Sequence, residues 1–423
     1  MDVIQELLQG IPLPRMVKIR QTFPAPAVQD ISGTLRGELA KPGIMDAVKP
    51  GMKIAVAVGS RGVADIPLLT RVTIEELKSQ GAEPFIVPSM GSHGGASSEG
   101  QREVLANLGV TEETAGCPII SSMEVVEIGR LGNGLPVYMD KYAHQADGIV
   151  VINRIKPHTA FRGICESGLV KMITIGLGKQ KGAESCHAYS FKHMADNLIA
   201  MAEIALDCTP ILFGVGTVET AYDKIAKIVA VPAREMIEKD SELLVEAKAN
   251  MPKIYFDQID VLVIDQIGKD ISGDGMDPNI TGRYPTQYAS GGPDVNKMVV
   301  LDLSERTHGN ANGMGTADFT TRKLVDKTDF KATYANGLTS TVVGPTHMPT
   351  VLDCDRDALL AAVKTSNARD LSRVRLVRIK DTLHLGEILI SESMVDEVRN
   401  HPNITILSEP CNMIFDENGE FNS

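Results

Sequence analysis

The chain has 423 residues, too many for one ordinary hydrophobic core, so the sequence predicts two domains. Its 43% hydrophobic and 23% charged residues are typical of a globular protein, and no run of about 18 apolar residues predicts a membrane helix. A net charge of −12 argues against a nucleic-acid partner, because neutralising phosphates requires clustered Lys and Arg. The first residues lack the basic and apolar stretches of a signal peptide, so we expect a cytoplasmic protein.

Residues 1–45 are expected to form an N-terminal arm. Within it, Val17, Ile19 and Phe23 alternate with polar residues between two prolines, which predicts an edge strand. From Lys53 onwards, short apolar runs alternate with helical patterns, which predicts a parallel sheet with right-handed crossovers. The predicted strands of this part are 54–58, 83–87, 148–152, 211–215 and 226–230. The predicted helices are 67–80, 98–108, 193–206 and 233–249.

A domain boundary is predicted near Pro252. It gives an N-terminal α/β domain over 1–252 and a C-terminal α/β domain over 253–423 that completes a cleft. The predicted strands of the second domain are 261–265, 298–303, 374–379 and 387–391. A long loop over 304–322 is rich in Gly and Asn, and such loops tend to carry function. The predicted fold class is therefore two α/β domains with mainly parallel sheets and an active-site cleft between them.

Two histidines follow predicted strands of the first domain. His93 lies among glycines after 83–87, and His158 follows 148–152 in a Pro157-His158 pair. The crevice beyond the carboxyl ends of parallel strands is where ligands bind in open α/β sheets. Because histidine exchanges a proton near neutral pH, we predict acid–base chemistry for both residues.

The loop after 54–58 contains Ser60 and Arg61, which could hold a phosphate or a carboxylate near the start of the next helix. A plain turn with a solvated Arg is the alternative. Further on, Lys171 lies among apolar residues, where burial would make its amine nucleophilic; the alternative is a surface lysine that extends into water. Cys186, beside His187, is either a soft metal ligand or a buried small apolar residue.

The segment 268–283 of the second domain follows a predicted strand and contains several acidic residues. Its spacing does not fit a calcium loop, because Ser272 takes a ligand position and the final Glu is missing. Lys269 and Arg283 are better interpreted as carboxylate-binding residues facing the cleft.

Taken in order, these loops resemble the nickel-dependent lactate racemase family over most of the chain. The resemblance rests on Ser60-Arg61, Gly91-Ser92-His93, Pro157-His158, Lys171 and His187. The 16-residue step from Lys171 to His187 is similar to the family's spacing between its cofactor lysine and its nickel histidine. The segment of Asp277, Asn279 and Arg283 resembles the family's Asp-x-Asn segment, which leads to substrate-binding residues.

The resemblance implies a nickel-pincer nucleotide, a pyridinium mononucleotide whose sulfur ligands hold nickel. Lys171 would be its covalent tether and His187 the protein's nickel ligand. His93 and His158 would be the catalytic acid–base pair on opposite faces of a 2-hydroxy acid, while hydride moves to the cofactor and back. The implied partners are three maturation enzymes: a carboxylase, a sulfur transferase and a nickel insertase.

This sequence departs from the family pattern at several positions. Val58 stands where an acidic residue is usual, the run before the tether is Gly168-Leu169-Val170, and the chain contains no tryptophan. The step from His158 to Lys171 is also a few residues longer than in the best-known members. These differences surround the substrate and cofactor, so we expect a 2-hydroxy acid other than lactate.

Three other functions remain open from the residues alone. The first is a metal-dependent lyase or hydrolase that uses His93, His158 and His187 around an ordinary divalent metal. The second is a non-catalytic member that binds a hydroxy acid or a nucleotide. The third is a dehydrogenase with free nicotinamide cofactor, although the sequence has no GxGxxG between a strand and a helix to support it.

Overall fold

The computed structural model describes residues 3–59 and 62–421. The strands are β1 (Met16–Gln21), β2 (Lys53–Val58), β3 (Glu83–Pro88), β4 (Val125–Arg130), β5 (Pro136–Asp140), β6 (Gly148–Arg154), β7 (Ile211–Glu219), β8 (Ile225–Pro232), β9 (Gln258–Ile267), β10 (Asp294–Leu303), β11 (Phe319–Thr321), β12 (Thr350–Leu352), β13 (Leu376–Ile379), β14 (Glu387–Ser391) and β15 (Ile404–Ile406).

The α-helices are α1 (Val3–Leu8), α2 (Ile31–Leu39), α3 (Ile66–Ser79), α4 (Ser98–Asn107), α5 (Glu112–Ala115), α6 (Lys141–Gln145), α7 (Leu169–Lys171), α8 (Lys179–His187), α9 (Met194–Cys208), α10 (Met236–Asn250), α11 (Pro278–Thr281), α12 (Arg322–Asp326), α13 (Phe330–Ser340), α14 (Asp355–Thr365) and α15 (Val395–Val398). A π-helix covers Met172–Gly176, and 3₁₀ turns cover Gly94–Ala96, Phe191–His193, Ala233–Glu235, Glu305–Thr307, Met314–Thr316, Gly344–Thr346, Leu371–Arg373 and Glu392–Met394.

The chain forms two compact units. The central unit runs from Pro24 to Met251, and the terminal unit combines the chain up to Phe23 with the chain from Pro252 onwards. The division near Pro252 coincides with the predicted domain boundary. Residues up to Phe23, which the sequence analysis placed in the N-terminal domain, instead lie in the terminal unit, because β1 pairs with β14 and β15 there.

The central unit is built on a sheet of order β3-β2-β6-β7-β8, in which only the pairing of β7 with β8 is antiparallel. Its middle strands read as continuous apolar runs because both faces are covered, and Ile54–Val58 are fully buried. Helix α3 begins with Pro67 in its first turn and ends before Gly81, which has a φ of +81°. The β4–β5 hairpin forms a separate two-stranded sheet and was not predicted.

The terminal unit has a larger mixed sheet of order β12-β11-β10-β9-β13-β14-β1-β15. The first five strands of this order, from β12 across to β13, pair in parallel with their neighbours. The pairings of β13 with β14, β14 with β1 and β1 with β15 are antiparallel. The predicted α/β fold class, with a sheet in each unit, is thus confirmed. The prediction of an edge strand near Val17 was wrong in its position, because β1 lies between β14 and β15.

Each unit has its own hydrophobic core. In the central unit the buried cluster joins strand residues such as Val56 and Ile152 to Leu69 and Leu77 of α3. In the terminal unit it joins Val263 of β9 to the apolar face of α14. Within residues 3–59 and 62–421, no helix is both long and apolar enough to span a membrane.

Candidate functional site

Three loops of the central unit leave the same edge of its parallel sheet. Strands β3, β2 and β6 are neighbours, and Val58 is in register with both Pro88 and Ile152. The loop with His93 follows β3, and the loop with His158 follows β6. They therefore flank the loop that follows β2, at the edge where ligands bind in open α/β folds.

Lys171 and His187 lie at the two ends of one helical segment, formed by α7, the π-helix and α8. In a straight helix a step of 16 residues would separate them by about 24 Å. Burial lowers the pKa of His187, and the charge of Lys171 lowers it further, so the two side chains interact electrostatically. The backbone leaves the helical path at Lys179, whose φ is +56°. Lys171 and His187 are therefore not joined by one straight helix.

Asp240 on α10 holds the start of that helical segment. Its carboxylate accepts a 2.7 Å hydrogen bond from the N–H of Val170, the residue before Lys171. Gly168 precedes the helix and has no side chain to accept such a bond, and a Cβ there would lie 2.1 Å from Oδ1 of Asp240. Asp240 therefore caps a helix that lies 70 residues earlier in the chain.

Glu166 fixes the backbone on both sides of His158. Its buried carboxylate accepts a 2.7 Å bond from the N–H of His158 and a 2.6 Å bond from Nζ of Lys248. Arg162 lies 3.3 Å from the same carboxylate and donates to the carbonyl of His158 at 2.6 Å. These bonds hold His158 through its main-chain N–H and carbonyl and do not involve its ring.

Two phenylalanines pack against the histidine rings. The ring of His158 lies 4.5 Å from that of Phe161 and 6.2 Å from that of Phe191, measured between centroids. Phe191 also contacts His187 edge-on at 5.4 Å. Phe191 is therefore shared by both histidines, and these apolar rings exclude water from around them.

His158 is uncharged at neutral pH. Burial holds its pKa well below the usual 6.5, and the charges of Lys171, His187, Lys156 and Arg162 lower it further. Phe191 contacts both histidine rings, and the charge of Lys171 lowers the pKa of both, so we group the three residues as the His158–Lys171–His187 cluster.

The two histidines of this cluster are held in opposite tautomers by the backbone. Nδ1 of His187 lies 2.5 Å from the carbonyl oxygen of Ala183, so Nδ1 carries the proton and Nε2 keeps a lone pair. Nδ1 of His158 instead accepts a 3.0 Å bond from the N–H of Ala160, so its proton is on Nε2. His187 can therefore bind a metal through Nε2, while neutral His158 offers a hydrogen-bond donor.

His93 lies in the loop after β3 and its side chain is exposed. The backbone around it is tightly turned, since Gly91, Gly94 and Gly95 all have positive φ. Gln101 of α4 is fully buried and donates to the carbonyls of Gly91 and His93 at 2.9 and 3.3 Å. An anchored backbone therefore carries a side chain that a ligand can reach.

Ser60 and Arg61, the predicted cofactor-binding residues, lie outside the described residues. Gly59, which ends the described stretch before them, lies close to the helical segment. A Cβ on Gly59 would lie 2.9 Å from Cε of Met172, next to Lys171. Glycine at this position permits that approach.

Cys186 is buried against Met194, with 3.2 Å between the two sulfur atoms. Burial raises the pKa of its thiol to about 12, so the thiol is protonated and packs here as a small apolar side chain. Over the parts of the chain that the structure describes, no group of three or more His, Cys, Asp or Glu residues could hold a metal ion.

The predicted substrate-binding residues lie in the terminal unit, in the segment after β9. Lys269 is partly buried and donates to the carbonyl of Gly273 at 2.5 Å. Asp277 caps α11 and accepts bonds from both nitrogens of Asn279, the N–H and the side-chain amide, each at 2.9 Å. Asp277 and Asn279 thus shape this loop together.

Arg283 has a structural set of partners. Its guanidinium donates to the carbonyls of Val295 and Asn296 at 3.0 and 2.8 Å and forms a 3.0 Å ion pair with Asp318. These bonds join the end of the loop to β10 and to the segment before β11. They occupy the donors that were expected to bind a substrate carboxylate, so we do not propose Arg283 for that role.

Sequence reasoning missed the residues that position the cluster. Asp240 and Glu166 are separated in the chain from the groups they hold, and Lys179 stands in a Gly-Lys-Gln-Lys-Gly run that looks exposed. It also missed His384 in the terminal unit, whose Nδ1 lies 2.7 Å from the carboxylate of Asp381. The only available signal was their charge, which does not distinguish a buried group from a solvated one.

A family model for the lactate racemase N-terminal domain matches residues 15–198. This range contains His93, His158, Lys171 and His187. This part of the chain is similar to the N-terminal domain of lactate racemases. The match supports a racemase or epimerase type of function without naming the substrate.

Among solved structures, the lactate racemase apoprotein from Thermoanaerobacterium thermosaccharolyticum matches with a TM-score of 0.47 and 15% sequence identity. That match covers 87% of this chain and 89% of the other. No curated protein matches this chain.

Proposed function

We propose that this protein is a racemase or epimerase of a 2-hydroxy acid that works with a nickel-pincer nucleotide tethered to Lys171. The proposal is supported most by the His158–Lys171–His187 cluster, in which His187 keeps its Nε2 lone pair beside the lysine. When bound, the cofactor would accept the hydride from the substrate's hydroxyl-bearing carbon and return it to either face.

The residues of the cluster fit such a cofactor. A metal-binding histidine usually donates its second ring N–H to a carbonyl or carboxylate, and His187 donates to Ala183. One protein ligand is enough when the cofactor brings its own sulfur donors, which suit nickel. A cofactor that needs one protein ligand and one tether fits a cluster with one available histidine and one lysine. An ordinary metal site would need several protein ligands. Ser60 and Arg61 remain the proposed partners of the nucleotide phosphate.

His93 and His158 are proposed as the acid–base pair. His93 is accessible and flanked by glycines, so it can take the hydroxyl proton of a bound substrate and give it back. Neutral His158 offers Nε2–H to the substrate oxygen. It can accept a proton at Nε2 only in the other tautomer, after its bond from Ala160 is broken.

Lys269, Asp277 and Asn279 are proposed as the substrate-binding residues. Lys269 would supply the cation for the substrate carboxylate, and the Asp277–Asn279 pair would supply polar groups for further hydroxyls. The substrate is proposed to differ from lactate, because the chain has no tryptophan and Val58 replaces an acidic residue that is usual in the family.

The decisive experiment is intact-mass spectrometry with nickel analysis, on protein produced together with the three maturation enzymes. We expect a nucleotide-sized mass increase that maps to Lys171, with about one nickel per chain. Lys171→Ala should lose the increase, and Lys181→Ala, at a nearby exposed lysine, should keep it. An unmodified mass from a host that matures a known racemase would overturn the proposal and leave an ordinary metal enzyme or a binding protein.

A further inference from the structure

The central unit contains a buried lysine that the proposed chemistry does not use. Lys179 has no exposed surface, and its side chain lies in an ion pair with Asp140 at 3.3 Å. Burial lowers the pKa of Lys179 and raises the pKa of Asp140, and each charge counters the shift in the other. A lysine kept inside a protein at this cost usually has a specific arrangement to maintain.

The ammonium group of Lys179 joins parts of the chain that are far apart in sequence. It donates to the carbonyl of Pro88, at the end of β3, and to Oε1 of Gln101 at 3.2 Å. The side-chain Nε2 of Gln101 donates to the carbonyls of Gly91 and His93. A continuous set of hydrogen bonds thus runs from Lys179 to the backbone of His93.

Lys179 is also the residue at which the helical segment turns. Its positive φ of +56° is unfavourable for a residue with a Cβ, so the surrounding contacts must hold it there. The same segment touches the His93 loop directly, since the N–H of Gly91 bonds to the carbonyl of Gly176 at 3.4 Å. The conformation of the turn and the placement of His93 therefore depend on the same side chain.

We propose that Lys179 is a positioning residue that fixes the His93 loop to the helical segment carrying Lys171 and His187, with Gln101 as the connecting side chain. The functional meaning of this connection rests on the proposed racemase chemistry. The connection itself is a property of the unmodified protein and can be tested without activity.

The test is hydrogen–deuterium exchange of the full, unmodified chain, followed in peptides that cover 91–97 and 176–187. Lys179→Met should speed exchange at least threefold in both peptides. Gln101→Glu keeps an acceptor for Lys179 but replaces the donors to Gly91 and His93, so it should speed exchange in 91–97 alone. The matched controls Lys181→Met and Gln180→Glu, at exposed neighbouring positions, should change neither.

If Lys179→Met does not fold, the double variant Asp140→Asn with Lys179→Met removes the unpaired carboxylate and gives the same readout. Unchanged exchange in 91–97 for both the Lys179 and the Gln101 variants would overturn the proposal. In matured enzyme, Gln101→Glu should lower kcat about tenfold with KM and nickel content unchanged. If the variants exchange faster as expected but the matured wild type has no racemase activity, the proposed function is contradicted. The hydrogen-bonded connection between Lys179 and the His93 loop would still hold.

Discussion

Nδ1 of His187 lies 2.5 Å from the carbonyl oxygen of Ala183, one helical turn earlier. The bond fixes both the tautomer and the orientation of the ring, because only a protonated Nδ1 can donate to a carbonyl. Nε2 is then ready to bind a metal without losing a proton or turning the ring. This arrangement leads to the first prediction, on nickel content.

His187→Ala should lose nickel while the nucleotide stays attached to Lys171. The covalent bond to Lys171 does not involve the imidazole of His187, so nickel binding can be lost while the nucleotide remains attached. Metal analysis and intact mass on the same sample measure both. His193→Ala, at an exposed histidine six residues further on, is the control and should keep about one nickel per chain. Full nickel retention in His187→Ala would assign the metal ligand elsewhere.

His158→Ala and His158→Gln should differ in activity. If neutral His158 acts as a hydrogen-bond donor through Nε2, glutamine can replace part of that role, whereas alanine cannot. We expect kcat/KM to fall at least 100-fold in His158→Ala and clearly less in His158→Gln. Equal loss in the two variants would mean that proton transfer by the ring is indispensable. The cofactor should remain bound in both, which intact mass verifies.

Asp240→Asn should change how stability depends on pH. Burial raises the pKa of Asp240 to about 6 from the ordinary 3.8. Its stabilising contribution is therefore complete below pH 3.8 and is lost as the pH rises through about 6. Between pH 4 and 7 the wild type should lose roughly 3 kcal/mol of unfolding free energy relative to Asp240→Asn.

Denaturant unfolding at several pH values measures this difference. Asp196→Asn, at an exposed position of α9, is the control and should follow the wild-type curve. Asp240→Ala removes the cap altogether and should cost about 0.5–2 kcal/mol below pH 4, where the wild-type carboxyl is protonated in both states, with a smaller fraction of protein carrying the Lys171 adduct. Parallel curves for Asp240→Asn and the wild type would contradict the predicted ionisation.

Lys269→Ala and Arg283→Ala should separate binding from stability. Lys269→Ala should raise KM at least tenfold with little effect on melting temperature, because its proposed partner is the substrate carboxylate. Arg283→Ala should lower the melting temperature by several degrees, because it leaves the carbonyls of Val295 and Asn296 and the carboxylate of Asp318 without their donor. A large rise in KM for Arg283→Ala alone would restore it as the carboxylate-binding residue.

The sheet of the central unit could be predicted because its middle strands are buried on both faces. Apolar runs such as Ile54–Val58 and Gly148–Ile152 are recognisable in sequence, and their alternation with helices indicates parallel order. The loops that follow them then located His93 and His158. The sequence could not show which sheet β1 joins, because alternating residues indicate a strand but not its partners.

The finer arrangement of the site depends on contacts between distant parts of the chain. No local pattern links Asp240 to Val170, Glu166 to Lys248 or Lys179 to Asp140. The tautomers of His158 and His187 also depend on carbonyl and amide groups whose directions follow from the folded backbone. Sequence reasoning could therefore identify the histidines but not the proton that each one carries.

The terminal unit is built from both ends of the chain, so its strands are synthesised at very different times. The ribosome makes β1 first, but its partners β14 and β15 follow only after the whole central unit has been made. At about 5–20 residues per second, β1 waits roughly 20–70 s for its neighbours. Meanwhile Val17 and Ile19, which end up fully buried, are exposed in the nascent chain. Until β14 and β15 have been made, the apolar residues of β1 are therefore available for pairing with other strands.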